Sequence, residues 1–176
     1  MSDSANNHGD YIGLLYEKVD IYNGAEKYLA SISVEPHAAV VVYAAHFCQS
    51  EIQNGGLLQF FWNNTGVLAP EALEGFRVIG MPRLAAVLER AMAKLGEPYP
   101  RERDDRWDAL LVASGFDEDA LKVIFEGTES LYLKFVNATE GLDFRSSDEQ
   151  IWDLTDNENG GFVRAANQYL DSQPLM

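Results

Sequence analysis

The sequence predicts an all-α fold. Apolar residues recur at helical spacing in several separate stretches, Pro, Gly and Asn bracket those stretches, and alternating strand-like patterns of useful length are missing. At 176 residues the chain fits one compact multi-helix domain, and a second independent core would be cramped.

Taken in order, residues 1–10 (MSDSANNHGD) are polar and read as a disordered tail, leaving 11–176 as the helical domain. The tail lacks the basic start and apolar core of a secretory leader. Tyr11–Tyr22 and Ala25–Ile32 fit short helices. After Pro36, Val40, Tyr43, Ala44, Phe47 and Cys48 fall at i, i+3, i+4, i+7 and i+8, one apolar stripe. Asn54-Gly55-Gly56 is expected to end that helix, since glycine accepts the positive φ of a helix stop. A short second helix then drives Phe60, Phe61 and Trp62 into the core, and Asn63, Asn64 and Gly66 close it. Gln53, Asn54, Gln59 and Asn63 are expected to hydrogen-bond backbone groups that the sharp turn leaves unpaired.

Pro70–Ile79 fits the next helix. Leu84, Val87, Leu88, Ala91, Met92 and Leu95 form a second clean stripe, with Pro82 ahead of it and Gly96 as a stop. The stretch Gly96–Arg106 reads as a turn between helices, and Asp104–Ala113 as a further helix. Leu121, Ile124, Phe125, Leu131, Tyr132 and Phe135 make a third stripe behind Asp117 as N-cap. Ser146 and Glu149 have capping-box spacing and predict a helix start there. The last helix runs from Phe162 to Leu170. Its approach, Asn159-Gly160-Gly161, repeats the Asn54 quartet, and both are expected to end one helix and start another.

Charge is the global anomaly. The chain holds 13 basic and 28 acidic residues, a formal net charge of −15. Residues 1–100 contribute −5 and residues 101–176 contribute −10. Such a field repels nucleic acid and anionic membranes and attracts basic proteins or cations. No apolar run approaches the roughly 18–20 residues needed to span a bilayer, and the single Cys48 forms no internal disulfide. A cytoplasmic protein is expected.

Catalytic patterns are scarce. His46 and Cys48 lie two apart on a helix and point roughly 200° away from each other, so no local Cys–His pair forms. His8 and His37 have no metal-ligand companion at i+4. The zinc-protease helix, the P-loop, the dinucleotide glycine pattern and the nucleophile elbow are absent. Aligned on Gly160, the segment DLTDNENGG would put Thr155 first and Ala166 last in a calcium loop, losing two essential oxygens. The expectation is no enzyme, no metal and no cofactor.

The segment Asn54, Gly55, Gly56, Gln59, Phe60, Phe61, Asn63 and Gly66 resembles the hallmark of the DNA-mimic protein 19-like family of helical bacterial domains. Leu57 stands where the pattern usually has an aromatic residue. The resemblance implies an all-helical, dimeric protein whose namesake uses acidic side chains to imitate duplex DNA on a transcription factor. The motif itself reads as architectural.

On this reading the partner is a basic DNA-binding protein, with no direct binding of nucleic acid or membrane. The candidate partner-facing carboxylates are Asp104, Asp105, Asp108, Asp117, Glu118, Asp119, Asp143, Asp148, Glu149, Asp156 and Glu158. The plain alternative for such residues is a solvated face, since acidic groups near helix N-termini are favoured by the helix dipole anyway. The alternative function is an immunity-type or scaffold protein for another partner. A small-ligand binder or enzyme ranks behind both.

Overall fold

The computed structural model describes residues 7–115, 142 and 144–173. Eight helices and no strand occupy them, packed against one another. They are α1 (His8–Tyr16), α2 (Ala25–Ile32), α3 (His37–Trp62), α4 (Ala69–Val78), α5 (Pro82–Ala93), α6 (Arg103–Ala113), α7 (Phe144–Asn157) and α8 (Phe162–Ser172). A 3-10 segment, Asn64–Leu68, leads from α3 into α4, and another, Glu158–Gly160, joins α7 to α8.

α3 is the axis of the fold, with α1, α4, α6 and α7 packed around it and α5 closing the gap between α4 and α7. This position explains a departure from the single apolar stripe expected for α3. Ala39, Val40, Val41, Val42, Tyr43, Ala44 and Ala45 are all buried, because neighbours cover the helix on every side. α4 approaches α3 closely at Gly75, where an added Cβ would sit 2.2 Å from the Val41 carbonyl oxygen. α5 keeps the predicted stripe, burying Leu84, Val87, Leu88, Ala91 and Met92. Its start is set by Pro82 in the first turn, where the missing N–H costs nothing.

Three expectations about boundaries need correction. The first helix begins at His8, inside the expected tail, and ends at Tyr16 rather than Tyr22. Asn7 caps it through Gly9 N–H, and His8 is tied to α8 by its backbone N–H donating to Asn167 Oδ1 at 2.8 Å. The helix stops early because Asp20 Oδ1 accepts from the Tyr22 and Asn23 N–H groups, an Asx-type turn that competes with helix. α7 begins at Phe144, two residues before the proposed cap. Ser146 therefore lies inside the helix, where its carbonyl accepts from Gln150. The predicted stripe between Leu121 and Phe135, with its cap Asp117, falls outside the described residues.

Candidate functional site

At Gly55–Gly56 the axis of α3 breaks. Gly55 has φ −157°, which any residue adopts, whereas Gly56 has φ +79°, in the region that favours glycine. Sterics add to this at both positions. A Cβ on Gly55 would meet Gln59 Oε1 at 2.0 Å, and one on Gly56 would meet Asp148 Oδ2 at 2.5 Å. Beyond the break, Phe60 and Phe61 are fully buried and Trp62 is half-buried, as the turn-within-a-core reading expects for the first two and not for the third.

The break leaves backbone N–H groups of the second limb without intrahelical partners. The motif amides do not take them, contrary to expectation. Gln59 Nε2 and Asn63 Nδ2 instead donate to Glu51 Oε2 at 2.8 and 3.1 Å, and Thr65 Oγ1 donates to Glu51 Oε1 at 3.2 Å. The freed Leu57 N–H donates to Asp148 Oδ1 at 2.8 Å. Burial pushes the Asp148 carboxyl up to about 6, against the Leu57 hydrogen bond, which lowers it.

That pattern recurs. Glu158 accepts from both the Arg83 and Leu84 N–H groups at 2.9 Å, capping α5. Glu102 accepts from the Ala25 N–H at 2.9 Å, capping α2. Three helix starts are thus closed by carboxylates from distant parts of the chain, placed where the dipole favours negative charge. Asp148 and Glu158 were candidates for partner contact. The structure engages both inside the fold.

The C-terminal end of α3 receives the complementary treatment. Arg106, 1% exposed, donates to the carbonyls of Phe61 and Asn63 at 2.8 Å and to that of Arg101. Arg103 Nε and Trp107 Nε1 both donate to the Trp62 carbonyl, at 3.1 and 2.9 Å. Trp62 and Trp107 stack with ring centroids 4.3 Å apart, and the Arg103 guanidinium lies 4.3 Å from the Trp107 centroid. Burial pushes the Arg106 guanidinium below its ordinary value. Gly66 is required here, since a Cβ would stand 2.6 Å from Arg106 Nε.

Two groups of carboxylates remain on the surface. Asp104, Asp105 and Asp108 are exposed on α6. Glu149 and Asp156 are exposed on α7, joined on the same face by Asp153 at helical spacing. Asp153 was missed, although its distance of four residues from Glu149 was legible. Trp152 shares that face, 53% exposed, with its indole N–H donating to the Ile52 carbonyl at 3.2 Å. Asp117, Glu118, Asp119 and Asp143 lie outside the described residues.

A family model described as DMP19-like protein matches residues 33–173. The chain belongs to the DMP19-like protein family. No curated protein and no solved structure matches it. The family region contains the α3 break, its carboxylate caps, the arginine cluster and both surface acidic groups, whereas α1 and α2 precede it. Membership in the DMP19-like family therefore agrees with the resemblance drawn from the Asn54–Gly66 segment. Within the described part of this family member no helix is long and apolar enough to cross a membrane. Among the described residues no three His, Cys, Asp or Glu side chains converge on a point a metal could occupy.

Proposed function

We propose that the protein is an acidic protein-binding domain that occupies the DNA-binding surface of a basic transcription regulator. The observation that supports this best is the set Asp104, Asp105 and Asp108, exposed on the first turns of α6. Asp104 and Asp108 are separated by about 6 Å along the helix axis. Duplex DNA carries one charge per roughly 1.7 Å of axis, or between three and four charges in that length. By its carboxylates alone the α6 group approaches the charge density of a duplex, while Arg103 and Arg106 of the same turns are directed at the Trp62, Phe61 and Asn63 carbonyls. The α7 group is sparser, with three carboxylates over about 10 Å.

Affinity capture from the source cell, read by mass spectrometry, should return a basic DNA-binding protein. The purified pair should compete with that protein's operator and weaken steeply between low and physiological salt, because exposed ion pairs are screened. Charge reversal at Asp104, Asp105 and Asp108 should weaken the complex while circular dichroism stays helical. A partner held equally well at low and high salt, and still bound to its DNA, would replace this reading with the immunity-type one.

A further inference from the structure

We infer that the groove between α3, the end of α7 and α8 is a receptor site for an arginine side chain of a partner protein. This inference rests on the protein-binding reading above and names the chemistry of the contact. The groove encloses about 690 Å³ and is lined by Gln49 and Gln53 of α3, Asp156 of α7 and Asp171 of α8. Gln49 is only 9% exposed, yet its amide has no hydrogen-bond partner among the described residues and faces into the groove. The amide itself opens onto the groove, which leaves its oxygen and its N–H groups able to pair with a ligand seated there.

The acceptors available include the amide oxygens of Gln49 and Gln53 and the carboxylates of Asp156 and Asp171. A guanidinium presents five N–H donors in a planar fork and no acceptor, which suits that wall. Arg164 also lines the groove, so two carboxylates against one cation leave the site net negative. Trp152 stands four residues before Asp156 on the same face, and its indole is anchored to Ile52, the neighbour of Gln53. Its ring does not line the groove, but it is exposed on the α7 face that carries Asp156 and so reports on binding beside it. Lysine, a point charge with three donors, matches the arrangement less well.

The test is a nuclear magnetic resonance titration of the full-length labelled protein at physiological salt, with an oligo-arginine peptide, an oligo-lysine peptide of equal length and acetate. The Gln49 side-chain amide and Trp152 indole signals should shift with the arginine peptide and much less with the lysine peptide. Gln49→Leu, which leaves the charge unchanged, should weaken the arginine peptide by about tenfold, the size of one lost charge-assisted hydrogen bond. Should that variant fail to fold, the wild-type shifts decide alone. Equal binding of both peptides, or shifts confined to Asp104–Asp108, would sink the groove while leaving the acidic-surface reading intact. Shifts at Gln49 with acetate would make it an anion site and overturn the inference.

Discussion

Asp148 holds a carboxylate in a place that favours and opposes its charge at once. The Leu57 N–H and the start of a helical limb stabilise the anion, while burial penalises it more, and the net is a carboxyl raised to about 6 from an ordinary 3.8. The native state therefore holds the proton more tightly than the unfolded chain. The stability linked to this group is fully present below about 3.8 and is lost as pH rises through about 6. Asp148→Asn keeps an oxygen for the Leu57 N–H without the charge. It should gain stability relative to the wild type at pH 7 and less at pH 4.5, as measured by urea unfolding. An offset equal at both pH values would remove burial as the cause. The sequence made Phe60, Phe61 and the Gly56 turn legible, because their chemistry is local. It hid the work of Asp148, because Leu57 is 91 residues away. It misdirected Gln59 and Asn63 for a related reason: Glu51 lay on the expected helix with nothing in sequence to show it turned toward them.

At the scale of elements, type and order were readable and ends were not. α2 falls where expected and α5 keeps its stripe, since propensity, proline placement and periodicity agree there. α1 and α7 shifted because their boundaries depend on Asn167, Asp20 and packing against α3, which periodicity does not encode. The start of α5 illustrates the same dependence in energetic form. Pro82 opens the helix, but two of its N–H groups rest on Glu158. Glu158→Ala should cost about 1 kcal/mol, the usual range for a lost N-cap. Glu158→Gln should recover part of it, because an amide oxygen still accepts without the charge that favours the dipole. Thermal unfolding of the two variants checks this, and equal stability of Glu158→Ala and wild type would remove the cap from the account.

For the molecule as a whole, some basic residues pair with surface carboxylates, as Arg77 does with Glu89 and Lys18 with Glu35, but others are turned inward. Arg106 is sealed against backbone carbonyls, Lys94 donates to the Leu142 carbonyl, and Arg101 is paired with Glu71 at 2.7 Å. A net charge of −15 then repels itself across the surface, and self-repulsion opposes the compact state. Raising salt from about 0.01 to 0.15 M shortens the screening length from roughly 30 to 8 Å. The melting temperature should rise, by roughly 2–4 °C for each ~1 kcal/mol of repulsion removed in a chain of this size. A melting temperature that falls over that range would mean attractive pairs dominate. The all-α class was fully legible from the sequence, since it is a sum of local patterns. The candidate surface was legible only in part: the α6 carboxylates were found, whereas the groove at Gln49 is assembled from three helices and has no linear trace.

The remote caps also set an order of events during synthesis. α2 awaits Glu102, the second limb of α3 awaits Asp148, and α5 awaits Glu158, partners separated by 77, 91 and 74 residues. At about 5–20 residues per second the ribosome needs several seconds to deliver each missing carboxylate. Until then those helix starts carry N–H groups whose carboxylate partners have not yet been made. The last quarter of the polypeptide supplies the caps of the second limb of α3 and of α5, so a nascent chain released before Glu158 emerges leaves the start of α5 uncapped.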